Sequence, residues 1–129
     1  GNVIVFHANK TDDYVKRVIG TPGDKIEYKK DQLYVNDKKV DEPYLDYNEK
    51  HKMYEYITGT YKPEDFVRDG NKTTIPKGKL LVLGDNREVS KDSRSFGLID
   101  NDQVVGKVAF SFWPLDEFKF GFDPDTKYE

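Results

Sequence analysis

The longest apolar runs in this chain, Val3-Ile4-Val5-Phe6 and Leu80-Leu81-Val82-Leu83, are four residues each. Runs that short suit buried strands and fall far below the roughly 20 apolar residues of a membrane-spanning helix. Turn-forming residues separate the apolar stretches at short intervals. Val3 to Ala8 reads as one strand, and Tyr14 to Ile19, rich in β-formers, as a second. Gly20-Thr21-Pro22-Gly23 then marks a tight turn, with Pro22 and Gly23 suited to the central positions of a type II turn. Lys25 to Tyr28 alternates as a half-buried strand does. Leu33 to Val35 resumes after a polar turn, and Asn36-Asp37 reads as a hairpin turn leading to Lys39-Val40. These pieces predict an antiparallel meander.

The middle of the chain is less regular. Glu49 to Tyr56 fits one short helix or an irregular excursion, and Pro63 is placed to open a brief helical turn. Asp69-Gly70-Asn71 and Pro76-Lys77-Gly78 read as turns. This region is expected to be a surface insertion. Lys79 to Leu83 reads as a buried strand ending at Gly84, and Val104 to Phe110 as the last major strand, with Gly106 marking a bend or close packing. The expected fold is all-β, an antiparallel sandwich or partly open barrel with a small irregular or helical insertion, built as one domain over residues 1–129.

Composition removes several function classes. The 21 basic and 24 acidic residues leave a formal charge of -3, which argues against a general nucleic-acid surface. With no cysteine, the chain has no thiol nucleophile, disulfide or thiolate metal site. His7 and His51 form no metal motif, and neither metal nor cofactor is expected. Gly20 to Asp24 lacks the Gly-Lys-Ser/Thr ending of a phosphate-binding loop.

Two blocks carry possible chemistry. In the first, Tyr14-Val15-Lys16-Arg17-Val18-Ile19-Gly20, strand alternation puts Tyr14, Lys16 and Val18 on one face and Val15, Arg17 and Ile19 on the other. Lys16 is then either a solvent-seeking lysine or a buried general base. A lysine accepts a proton only in its neutral form, which an apolar wall favours. The second block is Gly84-Asp85-Asn86-Arg87-Glu88-Val89-Ser90-Lys91-Asp92-Ser93-Arg94. Its charges either solvate a loop or build a rigid hydrogen-bonded scaffold, with Ser90 orienting a lysine amine, Asp92 pairing with Arg94, and Asp85 pairing with Arg17. Asp85 and Asp92 as an acid–base pair is the weaker alternative, because seven residues of sequence separation fix no catalytic distance.

Together these blocks, in this order, resemble the lysine box and the later loop of type I signal peptidases of the compact bacterial kind. Asn2-Val3-Ile4-Val5-Phe6 is similar to the strand before that lysine box, so the resemblance covers nearly the whole chain. It implies a serine endopeptidase that removes signal peptides from exported precursors with a serine–lysine dyad. In that reading Lys16 is the general base, Ser90 orients it, and the pairs Asp85–Arg17 and Asp92–Arg94 are structural support. Tyr14 and Val18 are expected near the substrate. The implied partners are signal peptides with small residues in an Ala-x-Ala pattern, bound extended beside a sheet edge. The implied location is the bacterial cell membrane, with this domain on the extracytoplasmic side, and a monomer is expected. The aromatic residues Phe110, Phe112, Trp113, Phe118, Phe120 and Phe122 are candidates either for a membrane-facing surface or for core and domain edge.

The resemblance also implies a nucleophile in an upstream Ser-Met-x-Pro box behind a membrane anchor. No serine precedes Lys16, and Ser90, Ser93, Ser95 and Ser111 are the only serines. Gly1 opens almost directly on a strand, so an omitted upstream segment is expected, and the 129 residues alone are expected to be inactive. Two other classes stay open: a self-cleaving repressor-like serine–lysine domain and a non-enzymatic protein-binding β domain.

Overall fold

The computed structural model describes residues 3–7, 13–108 and 127–128. Its strands, in chain order, are β1 (Val3–His7), β2 (Asp13–Gly20), β3 (Ile26–Lys29), β4 (Gln32–Val35), β5 (Lys38–Val40), β6 (Lys79–Leu83), β7 (Ile99–Asp100), β8 (Val104–Val108) and β9 (Lys127–Tyr128). The helices are short: α1 (Asp46–Lys50), α2 (Pro63–Val67) and α3 (Ser93–Phe96), with single 3-10 turns at Pro43–Leu45 and Asn101–Gln103. One sheet runs β7-β6-β2-β1-β8, with β9 added in parallel beside β2; the second is the meander β3-β4-β5. All other pairings are antiparallel. The expected β fold with a small helical insertion is therefore observed.

The turns follow from their residues. The Asp24 N–H closes on the Thr21 carbonyl at 3.0 Å, and Gly23 takes φ +90°, as a type II turn needs at that position. Asn36 and Asp37 both have positive φ, 51° and 69°, which sets the twist of the β4–β5 hairpin. Lys30 and Asp31 do the same between β3 and β4. The Asp31 carboxylate then accepts the N–H groups of Ile57, Thr58 and Gly59 at 2.7–2.9 Å, drawing a distant segment onto the meander.

Side-chain alternation gives the larger sheet two distinct faces. Leu81 and Leu83 point toward the meander and pack with Ile26, Tyr28, Leu33, Phe66 and Ile75. On the opposite face Ile4, Phe6, Val82 and Ile99 form a second cluster, flanked by Tyr14 and Val18. Lys16 lies directly opposite Ile4 and belongs to this second face. Arg17 lies opposite Val3 and Leu83 and belongs to the first.

The middle of the chain forms the expected insertion, but it is not confined to the surface. Tyr47, Met53 and Tyr54 are exposed, but Leu45, Ile57, Phe66, Val67 and Ile75 are buried. The helix considered over Glu49 to Tyr56 instead covers Asp46–Lys50 and gives way to an irregular path. Carboxylates elsewhere in the fold capture the backbone N–H groups of Met53, Tyr54 and Ile57, so those groups have partners outside a helix. The aromatic segment from Phe110 to Phe122 lies outside the described residues, as does the end of the predicted last strand.

Candidate active site

Lys16 is 1% exposed, which excludes a solvent-seeking side chain. Its Nζ donates a hydrogen bond to Ser90 Oγ at 3.0 Å and lies 5.4 Å from the centre of the Tyr14 ring. Ile4 faces it across β1, and Val82 lies in the same apolar cluster as Ile4. The sequence brings the amine here because β2 is pinned on both edges, by β1 over Asp13 to Arg17 and by β6 from Arg17 onward.

The loop that carries Ser90 is held at both ends. At its start, Asp85 receives a bidentate pair from Arg17, with Nε and Nη2 at 2.9 and 2.8 Å, and the Arg17 guanidinium sits 3.8 Å from the centre of the Tyr44 ring. At its end, Asp92 is fully buried and receives a second bidentate pair from Arg94, at 2.9 and 2.8 Å. Asp92 also accepts the Gly84 N–H at 3.0 Å and caps α3 through the Arg94 N–H. Burial opposes ionisation of this carboxyl. The hydrogen bonds and charge of Arg94 and the two backbone N–H groups outweigh it and hold the carboxyl below the usual aspartate range. Ser93 is buried and accepts the Val82 N–H at 2.9 Å. Within the loop, the Ser90 N–H closes a turn on the Asn86 carbonyl at 2.9 Å.

The residues singled out from sequence thus fall into three pairs: Lys16 with Ser90, Arg17 with Asp85, and Arg94 with Asp92. Each aspartate is bonded to its own arginine, so the arrangement does not form a carboxylate dyad. Tyr14 lines a cavity of about 400 Å³ together with Phe6, Lys91, Phe96, Leu98 and Ile99. Val18 packs on the same face with the Ile4 cluster and does not line that cavity. Among the described residues no three His, Asp or Glu side chains converge as metal ligands.

Sequence reasoning missed a third grip on the loop. The Arg87 side chain has no exposed surface; its Nη2 donates to Glu42 at 2.8 Å and its Nε to the Gly84 carbonyl at 2.7 Å. Nη1 reaches Tyr28 Oη and Thr58 Oγ1, both at 3.2 Å. Tyr28 and Tyr44 donate to the same Glu42 oxygen. Burial first, and then the Glu42 charge, push the Tyr44 phenol above its usual range, so it stays a hydroxyl donor. The one local signal was Arg87 itself, a cation lying among short polar residues.

Fold and site together define a two-sheet β domain with a desolvated lysine amine docked on a serine in an arginine-braced loop. The family model described as "Signal peptidase, peptidase S26" matches residues 1–113. Signal peptidase IB of Staphylococcus aureus (strain MRSA252) is 70% identical over 127 residues, covering 98% of this chain and 66% of that relative. Signal peptidase I of Bacillus caldolyticus is 53% identical over 121 residues, covering 94% and 65%. The crystal structure of a signal peptidase I from Enterococcus faecalis V583 aligns with a TM-score of 0.75 at 34% identity, covering 84% of this chain and 93% of that one. The chain belongs to the signal peptidase family, peptidase S26. It spans just under two thirds of the length of the Staphylococcus aureus and Bacillus relatives.

Proposed function

We propose that this chain is the base-bearing part of a membrane-associated serine endopeptidase that removes signal peptides from exported precursors. The observation that carries the reading is the Lys16 amine, 1% exposed and donating to Ser90 Oγ at 3.0 Å. A neutral amine that donates one N–H to Ser90 keeps its lone pair aimed in a fixed direction. Loss of hydration disfavours the ammonium form, and the neutral form is the one a general base needs.

In the proposed reaction Lys16 takes the proton of an attacking serine as its Oγ bonds to the scissile carbonyl carbon. The Lys16 ammonium then gives a proton to the leaving amine as the carbon–nitrogen bond breaks. The same amine activates the water that hydrolyses the acyl-enzyme. Ser90 positions the amine, and the Asp85–Arg17 and Asp92–Arg94 pairs hold Ser90 in place. Tyr14, on the lysine face, is assigned to the substrate side. Val18 is proposed to line a pocket for a small substrate side chain, although it packs within the Ile4 cluster.

The attacking serine is proposed to come from outside these 129 residues. The single methionine, Met53, follows Lys52, so no Ser-Met-x-Pro segment occurs in the sequence. The chain alone is accordingly proposed to be inactive, a single unit that works with a preceding anchor and nucleophile segment. Signal peptides are the proposed substrates and the bacterial membrane the proposed location. Among the described residues no helix is long and apolar enough to cross a bilayer.

The test compares the 129 residues with a longer polypeptide that includes the native upstream region, each given a precursor peptide with an Ala-x-Ala site. Cleavage by the longer form only, reduced to background by Lys16→Ala, is expected. Cleavage that survives Lys16→Ala removes the mechanism. Cleavage by the 129 residues alone removes the assignment of the nucleophile to a segment outside them.

A further inference from the structure

Residues 42–58 pass behind the Ser90 loop and hold it at several points. Glu42 and Thr58 bond Arg87, and the Asn48 side-chain amide donates to the Asp85 carbonyl. The most exposed of these grips is made by Glu88. One of its carboxylate oxygens accepts the N–H groups of both Met53 and Tyr54, at 2.9 and 2.8 Å, and the other lies 3.2 Å from the Met53 N–H. Met53 and Tyr54 send their own side chains into solvent, 86% and 65% exposed, so apolar packing does not fix this stretch of backbone.

Glu88 sits inside the turn that the Ser90 N–H closes on the Asn86 carbonyl. Fixing Glu88 therefore fixes the turn, the turn fixes Ser90 Oγ, and Ser90 Oγ fixes the Lys16 amine. We infer that Glu88 is a positioning residue for the lysine base, acting by clamping the backbone of Met53 and Tyr54 against the Ser90 turn. The inference rests on the assignment of Lys16 as general base.

Several groups among the described residues surround Lys16 and bear on its protonation. Across β1 stands Ile4, and Val82 of β6 belongs to the same apolar cluster. Tyr14 stands on β2 itself, and Lys91 of the loop lines the same cavity as Tyr14. Asp85 and Asp92 are each bonded to an arginine. Glu88 is linked to Lys16 through the turn that carries Ser90.

In the longer, peptide-cleaving polypeptide, Glu88→Ala is expected to lower kcat about tenfold while KM stays within about twofold, as loss of positioning without loss of binding requires. A loosened Ser90 lets water reach the amine and stabilises the ammonium. The acid limb of the kcat/KM profile should therefore move to higher pH. Glu88→Gln keeps a carbonyl oxygen that can accept both N–H groups, so it should restore kcat and the position of the limb. An unchanged rate and profile in Glu88→Ala overturn the inference. So does a Glu88→Gln variant as impaired as Glu88→Ala, since the charge and not the clamp would then matter. A loss of kcat that only follows a lowered melting temperature, with the acid limb unmoved, overturns it as well. Lys16→Ala is measured alongside. If it stays active, both the base assignment and the inference fall; if it is inactive and Glu88→Ala is normal, the inference alone falls.

Discussion

Arg87 has no access to solvent, so its N–H groups depend on protein acceptors. Glu42, Tyr28, Thr58 and the Gly84 carbonyl supply them. Removing one member of such a buried pair leaves the other charge without compensation. Glu42→Gln is therefore expected to cost about 3–5 kcal/mol, read as a lower urea midpoint with an unchanged slope. No local pattern announces this pair, because its partners stand 45 residues apart. The Lys16–Ser90 contact is separated by 74 residues; the short polar residues of the second block offer it as one of two readings, and the family resemblance singles it out. The strand pattern alone put Lys16 on a face; it did not say whether that face was wet or dry.

At the scale of elements, the strands and tight turns follow from near neighbours. Pro22-Gly23 and Asn36-Asp37 adopt the backbone that their residue types favour, and the faces of β2 alternate as the pattern requires. Gly20 is different. The sequence pattern places it at the start of a tight turn. In the fold a Cβ at that position would lie 2.6 Å from side-chain atoms of both Ile26 and Ile75, where the end of β2 meets the meander. Gly20→Ala is expected to destabilise by about 1–3 kcal/mol through overcrowding, measured by urea unfolding. Residues 46–56 were the least legible element. Their path is set by the carboxylates of Asp31 and Glu88 and by the Asn48 amide, each reaching across the fold, whereas periodicity reports only on a segment's own face.

For the whole molecule, the two faces of the larger sheet divide the work. The face toward the meander holds the intersheet core, with Leu81 and Leu83 fully buried. The opposite face holds the desolvated lysine. Stability and the proposed chemistry should separate under substitution. Lys16→Met, which replaces a buried amine with an apolar chain of similar length, is expected to match or exceed the parent in urea while peptide cleavage by the longer polypeptide falls to background. Leu83→Ala should instead cost about 2–5 kcal/mol. A Lys16→Met variant that unfolds far more easily than the parent would mean that the amine serves the fold.

Lys16 and Arg17 are neighbours on β2, point to opposite faces, and grip the same loop at Ser90 and Asp85. A slip of one residue in one direction would put Arg17 in the place of Lys16, facing the serine with a guanidinium that stays protonated at any biological pH; a slip in the other direction would put Lys16 in the place of Arg17, facing a carboxylate that favours its ammonium. Neither could take up a proton. The adjacent pair thus acts as a lock with two different keys, in which only native pairing leaves the amine in place for its proposed role as a base.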